Sequence, residues 1–405
     1  MLVYEAKLKG NQHQYERLNE AIRTGLFVRN SCLRFWEDGN AKSRNDLYKY
    51  VTRLAKNKDF PWTNKLNSQA RQAMAERAWA AISRFFDNCK KRISGKKGYP
   101  KYKKNRPNHG SVEYKVTGWK LSENRDRITF TDGFKAGELK LYGSRNLNYY
   151  QIEQIKRVRV VRRADGFYAQ FCIDYDRTEE RQPTGKTVGL DVGISAFYTD
   201  SDGNKVNNPK YLRRSEKALK RLQKQVSRKF KKGQPQSNNY KKAKQKLARK
   251  HLKVSRKRKD FAVKTALCVV RSNDLVAYED LKVRNMVKNH KLAKSISDAS
   301  WTMFRIWLEY FGKIFGTVTI AVPPQYTSQN CSNCGAIVKK SLSTRTHKCK
   351  CGTVLDRDEN AAKNILKLGL STAGHTGTFL EYWINASGQM SLFCIDENQY
   401  SKFAG

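Results

Sequence analysis

Asp191 closes an apolar run, Val188-Gly189-Leu190, where strand propensity gives no reason for an acid. Glu279 closes a second such run, within DLVAYED (274–280), and Asp356 and Asp358 open a helical pattern, DRDENAAKNILKLG. Taken singly each acid has an ordinary use, and either Asp356 or Asp358 suits a helix N-cap. Taken together, carboxylates at the ends of buried strands and the start of a helix would repel unless cations lay between them. Two Mg²⁺ ions about 4 Å apart are the standard arrangement for in-line attack on a phosphodiester. A second constellation is CSNC (331–334) and, after a spacer of 14 residues, CKCG (349–352). Cys331, Cys334, Cys349 and Cys351 could present four thiolates to a structural Zn²⁺, with Gly335 and Gly352 allowing the knuckle turns. The second pair is C-x-C, and His347 lies close enough to replace one ligand.

Alternating periodicity over residues 1–10 predicts a strand. It is followed by a helix carrying Leu18, Ile22, Leu26, Val28 and Cys32, and by a second from about Leu66 to Lys91, with Ala70, Met74, Ala78, Ile82 and Phe86 on one face. Residues 94–110 mix Lys, Arg, Gly, Pro and two tyrosines without period, a basic loop. From Ser111 to Tyr175 the period is two, with a hairpin turning at Ala164, Asp165 and Gly166. Its outward face would carry Arg157, Arg159, Arg162 and Arg163 or their neighbours. After PTGK (183–186) come an apolar strand ending at Asp191, a Ser-Asp-Gly-Asn turn and a return strand. Later elements are two basic helices over 210–260, the strand ending at Glu279, an aromatic helix (Trp301, Phe304, Trp307, Phe311, Phe315) whose stripe reads as core, and a strand over 317–322.

The charge balance points the same way. In 405 residues, 81 Lys and Arg face 36 Asp and Glu, a formal +45, which favours a polyanionic partner, nucleic acid first. Residues 210–260 alone hold 22 basic residues and two acids, whereas the last 35 residues carry about −2 and read as an appended, weakly ordered end. No stretch approaches 18 consecutive apolar residues and Glu5 precedes any hydrophobic run, so neither a membrane span nor a secretory signal is expected. Five scattered cysteines beside one cluster favour a reducing compartment.

GLDVGI (189–194), VAYEDLKVRNMVKN (276–289), LAKSISDASW (292–301), YTSQNCSNCG (326–335) and DRDENAAKNI (356–365), in this order, resemble the transposon-encoded TnpB family of bacterial insertion sequences, relatives of the type V CRISPR effector nucleases. The resemblance covers about residues 1–370. It implies an α/β multi-domain fold: a β-barrel wedge domain (1–10 and 111–183), a helical recognition domain with the basic loop (11–110), and a RuvC-like, RNase H-type nuclease domain (184–326 and 354–370). The nuclease domain carries a basic helical hairpin insert (210–260) and is interrupted by a zinc ribbon (327–353), and residues 371–405 follow as the tail.

On the family's motif positions the catalytic and Mg²⁺-binding residues are Asp191, Glu279 and Asp358. Asp358 is chosen over Asp356 because it holds the acid place of the D-x-N-A-A element. The implied activity is metal-dependent, RNA-guided cleavage of double-stranded DNA beside a short flanking motif. The implied cofactors are two Mg²⁺, one Zn²⁺ and a transposon-derived guide RNA, and the expected species is a cytoplasmic monomer associated with the nucleoid. Weak matching points to Tyr48, Thr52, Ser68, Gln72 and Thr117 as motif readers. A channel for nucleic acid is expected from Lys101, Lys103 and Lys104, Arg157 and Arg159, and Arg228, Lys229, Lys257 and Arg258. The rival readings are an RNA-guided DNA-binding regulator that does not cut and an RNA-independent transposase.

Overall fold

The computed structural model describes residues 1–375, apart from Ser94, Pro107, Ser144, Arg145, Leu342 and Ser343. The chain forms two compact units, with the division at Asp176 and Arg177. That is some residues before the break expected at PTGK, because the connecting segment is fastened into the second unit. Arg181 donates to the carbonyls of Asn273 (2.6 Å) and Phe315 (3.1 Å) and pairs with Asp274 at 2.8 Å.

In the first unit, β1 (Leu2–Lys9) buries Leu2, Tyr4, Ala6 and Leu8 on one face, the period-two pattern of a half-buried strand. A capping box between Asn11 and Gln14 starts α1 (Gln12–Glu37), and Ser43 and Asp46 form another at α2 (Arg44–Lys56). The sequence reading passed over α2, a short helix with only Leu47, Val51, Leu54 and Ala55 buried among charged neighbours. The Asn67 side chain accepts from the backbone N–H of Gln69 and Ala70, so α3 (Ser68–Lys90) begins two residues after Leu66. Phe86, expected on the buried stripe of α3, is 47% exposed.

Six strands follow the helices: β2 (Ser111–Lys115), β3 (Trp119–Leu121), β4 (Arg127–Phe130), β5 (Glu138–Tyr142), β6 (Ile155–Arg163) and β7 (Gly166–Ile173). With β1 they make an antiparallel half-barrel in the order β2-β6-β7-β1-β5-β4-β3. The first strand of the chain lies at its centre, registered on β7 over Leu2–Leu8 and on β5 over Lys7–Lys9. The ladder order is open, ending on β2 and β3, where a barrel had been expected.

The second unit opens with a three-strand meander, β8 (Thr187–Val192), β9 (Ala196–Asp200) and β10 (Lys205–Asn207). The Ser201-Asp202-Gly203-Asn204 turn joins β9 to β10, so there are two return strands where one was expected. Helices α4 (Tyr211–Lys229) and α5 (Asn238–Ser272) then pair through a loop. The front of α5 is basic, but its end buries Ala262, Ala266, Val269 and Val270, so the helix runs beyond residue 260 into the core. Next come β11 (Leu275–Glu279), the short helices α6 (Val283–Met286) and α7 (Ala293–Ala299), α8 (Trp301–Phe315) and β12 (Val318–Val322). As expected, Trp301, Phe304, Phe311 and Phe315 of α8 are core residues. The sheet order is β10-β9-β8-β11-β12, with β8, β11 and β12 mutually parallel, β9 antiparallel to β8 and β10 antiparallel to β9.

The cysteine segment adds a two-strand ladder, β13 (Thr346–Lys348) and β14 (Val354–Asp356), and leads into α9 (Arg357–His375). Helix α9 continues five residues past Leu370, so the expected tail begins inside a helix; residues 376–405 lie outside the described residues. No helix among the described residues is long and apolar enough to cross a membrane.

Candidate functional site

Strand parity decides where the acids point. Val188, Leu190, Val276 and Tyr278 share a core with α5 and α8, whereas Leu275 and Ala277 face Ile365 of α9. Side chains alternate along a strand, so Asp191 and Glu279 stand on the face that α9 covers. Leu190 is level with Tyr278 across the parallel β8–β11 pair, which sets the two acids side by side at adjacent strand ends.

Helix α9 reaches this face because Gly189 lacks a side chain. A Cβ there would lie 2.2 Å from the Ala362 carbonyl oxygen. Asp358 sits one turn before Ala362, in the first turn of α9. Asp356 has the other role: its Oδ1 accepts the backbone N–H of Asp358 at 2.9 Å, capping the helix, and its Oδ2 pairs with Lys205 at 2.7 Å. Burial works against ionisation of Asp356, but Lys205 and that N–H outweigh it and hold its pKa below the usual carboxylate range.

Asp191 and Glu279 behave differently. Burial, then the charges of Glu279 and Asp358, push the Asp191 pKa well above the usual range, with Arg357 offsetting part. Burial also raises Glu279, although the Thr327 hydroxyl donates to it at 2.6 Å and stabilises the anion. Asp358 is held by Arg357 at 2.9 Å and by Arg345 at 3.4 Å. A divalent cation suits this donor set, because it would offset the burial that raises Asp191 and Glu279 and the neighbouring charges that add to it at Asp191.

Around the acids lies a frame the sequence reading missed. The fully buried Asn360 accepts from the Ser332 N–H (2.9 Å) and donates to the Asn330 carbonyl (2.8 Å). Asn364, one turn on, donates to the carbonyls of Thr327 and Asn330, each at 2.8 Å. The same helix that carries Asp358 therefore grips the segment that presents Thr327 to Glu279 and leads into the first cysteine pair. Two asparagines four apart on an apolar helix face are the signal that could have pointed there, since buried amides need partners.

The four expected cysteines come together. Cys331 and Cys351 are 3.7 Å apart, Cys334 and Cys349 3.6 Å, and all four sulfurs lie within 4.8 Å of one another. Tetrahedral zinc with bonds of about 2.3 Å separates its sulfurs by about 3.8 Å, so these thiols could hold one zinc ion. Gly335 (φ +76°) and Gly352 (φ +89°) make the knuckle turns. His347 is not among the clustered ligands; it is fully buried, with Nδ1 2.5 Å from the Lys340 ammonium. Among the described residues this is the one set of metal-ligand side chains drawn so close, and the carboxylates are more openly spaced.

The expected nucleic-acid residues divide. Lys101, Lys103, Lys104, Arg228, Lys229 and Lys257 are exposed. Arg157 and Arg159, expected on a phosphate-facing sheet surface, instead turn toward the buried Glu113, at 2.8 Å and 2.9 Å, and Arg157 also reaches Glu76 at 2.9 Å. Arg258 likewise turns inward and donates to the Ser297 carbonyl at 2.7 Å. Tyr48 on α2 donates to Glu76 on α3 at 2.5 Å, and Thr52 is exposed one turn on. Ser68 and Gln72 lie on the first turns of α3, and the Thr117 N–H donates to Gln69 of the same helix at 3.0 Å, so these five positions occupy one neighbourhood.

The family model OrfB_IS605, described as "Probable transposase", matches residues 170–290, and "Cas12f1-like, TNB domain" matches residues 301–365. A Streptomyces pristinaespiralis protein named "Putative RNA-guided DNA endonuclease" is 34% identical over 80% of this chain and 77% of its own length. The Escherichia coli (strain K12) protein "Putative RNA-guided DNA endonuclease InsQ" is 31% identical over 76% of each chain. The fold resembles that in "Cryo-EM structure of the Cas12f1-sgRNA-target DNA complex" (TM-score 0.54, 15% identity, 88% of this chain and 83% of that one). It also resembles that in "Structure of the mini-RNA-guided endonuclease CRISPR-Cas_phi3" (TM-score 0.56, 9% identity, 91% and 92%).

Proposed function

The chain belongs to the TnpB family, and from that premise we propose that it is an RNA-guided DNA endonuclease encoded by an insertion sequence, cutting guide-matched DNA beside a short flanking motif. The observation that carries the proposal is the convergence of Asp191 and Glu279, at adjacent strand ends, with Asp358 on the first turn of the helix that covers them, Asp191 and Glu279 being raised in pKa by burial and, for Asp191, by its neighbours' charges. The mixed sheet, three parallel strands flanked by an antiparallel pair, supports a RuvC-like, RNase H-type reading.

Magnesium bound by these acids would supply Lewis-acid stabilisation of a phosphodiester undergoing hydrolysis. The protein's own contribution is positional. Thr327 fixes the Glu279 carboxylate, Arg357 and Arg345 hold Asp358, and the close approach at Gly189 sets the depth of α9. The cysteine cluster, as a zinc ribbon, would stiffen the segment between Thr327 and α9 and take no part in the chemistry. Guide pairing would read most of the target, so Lys and Arg on α4, α5 and the loop before β2 need contact only backbone. Tyr48, Thr52, Ser68, Gln72 and Thr117 are proposed to read the flanking motif.

The test uses protein purified with its copurifying RNA, that RNA sequenced to give the guide, and Mg²⁺ with a matched, motif-flanked plasmid. Cleavage by the native chain and none by Asp191→Ala is expected. An intact plasmid that is nonetheless bound would favour a non-cutting regulator, and absence of RNA would favour a transposase acting alone.

A further inference from the structure

Among its described residues the loop between α3 and β2 has no regular structure, yet it is pinned. Asn30 of α1 exchanges two hydrogen bonds with the Lys103 backbone (2.9 and 3.0 Å), and the buried Arg29 donates to the Lys101 carbonyl at 3.2 Å. Asn88 of α3 donates to the Lys97 carbonyl at 3.0 Å. Between Lys90 and Arg106 the sequence holds nine Lys or Arg and no acid. Fixing so dense a run of like charge to one surface is unfavourable unless an anion offsets it.

Against this loop stands an aromatic surface. Phe86 (47% exposed), Tyr99 (50%) and Tyr102 (45%) project where α1 and α3 end. Tyr99 meets Phe85 at 5.2 Å and Trp36 at 5.9 Å between ring centroids, and Trp36 meets Phe86 at 6.2 Å. Both tyrosine hydroxyls donate to the Glu37 carboxylate, Tyr99 at 3.2 Å, so the rings are held in place. Exposed, immobilised aromatic faces among lysines combine the two features that capture single-stranded nucleic acid: ring faces for bases and cations for the backbone.

We propose that Phe86, Tyr99 and Tyr102 form a stacking platform for unpaired bases of RNA, with the lysines of the same loop tracking its phosphates. The proposal rests on the RNA-guided reading and adds a binding site to it. RNA is the occupant because the platform is built before any target is opened. A preorganised surface loses little ordering entropy on binding, and so suits the strand the protein carries throughout.

The test has two parts, both on the full chain. Ultraviolet cross-linking of the copurified RNA should give base adducts on peptides spanning Phe86 to Tyr102. In titrations of nucleic-acid-free protein with oligouridylate of about 12 nucleotides, Phe86→Ala/Tyr99→Ala should weaken binding about tenfold without changing its salt dependence. Lys101→Gln/Lys104→Gln should flatten the salt dependence instead. Unchanged circular dichroism guards against misfolding. RNA retained with no adduct in this segment, unaltered affinity of the aromatic variant, or tighter binding of oligodeoxythymidylate overturns the platform alone. A chain that holds no RNA overturns the RNA-guided reading with it.

Discussion

Two clusters of carboxylates, one in each unit, occupy half-buried or buried positions and have opposite electrostatics. In the first unit Glu113 is 3% exposed and lies between Arg157 and Arg159, and Glu76 meets Lys115 and Arg157. Burial opposes ionisation of both, but the cations outweigh it and both pKa values fall. In the second unit Asp191 and Glu279 are raised. In the first cluster the cations outweigh burial; in the second, Arg357 and Arg345 pair with Asp358 but do not offset the burial of Asp191 and Glu279. In a chain at +45, acids whose ionisation the surrounding cations do not restore are candidates for an ion or ligand site.

The largest expected effect tests the second cluster directly. Asp191→Asn should lower cleavage more than about a thousandfold, yet leave the metal-free protein at least as stable as the native chain, since it removes a repelling charge. A fall in its melting temperature would contradict the electrostatic account. Glu113→Gln should do the reverse, costing about 3 kcal/mol in denaturant unfolding because it leaves two arginines facing a neutral side chain. If it unfolds at the native midpoint, the first cluster is not structural.

Thr327→Val should lower cleavage about thirtyfold while guide RNA retention stays unchanged, and Thr327→Ser should restore most of it, because the hydroxyl's part is to orient Glu279. Similar rates in Val and Ser variants would remove Thr327 from the site. Proton linkage separates the clusters as well. Acids raised in the folded state contribute stability that is fully present below their unfolded pKa near about 4 and lost as pH rises through the folded value. Acids lowered in the folded state contribute stability that is present above about pH 4 and lost in acid. In metal-free protein, hydrogen exchange near β8 and β11 should therefore quicken with rising pH, after correction for intrinsic rates, and Mg²⁺ should slow it. Around Glu113 protection should fail in acid and ignore Mg²⁺. The smallest effect belongs to Asp356→Ala, about 1 kcal/mol of stability with cleavage nearly intact; a loss matching that of Asp358→Ala would reverse their assignments.

Much of the second unit was legible along the chain. Asp191 and Glu279 betrayed themselves as acids ending apolar runs, and the four cysteines by their spacing, because each signal is local and of low background. The helix bearing Asp358 and the core stripe of α8 were readable by period. Less could be read where a residue's direction depends on a distant partner. Arg157 and Arg159 looked like a basic outer face and turned to Glu113, more than 40 residues away in sequence. Phe86 continued an apolar period but lies beyond Ile82, the last buried residue of α3, and is 47% exposed.

The sequence by itself determined the chemical inventory: which acids sit in apolar surroundings, which thiols are paired, and where positive charge is dense. Composition and local period suffice for these, since they follow from bonded neighbours. Only the tertiary structure decided that Asp356 caps α9 and pairs with Lys205, that Asn360, Asn364 and Thr327 tie the cysteine segment to that helix, and that His347 stands apart from the sulfurs. Those outcomes depend on strand register and on the depth to which α9 settles over Gly189. They are set by contacts among residues far apart in the chain, which no local pattern encodes.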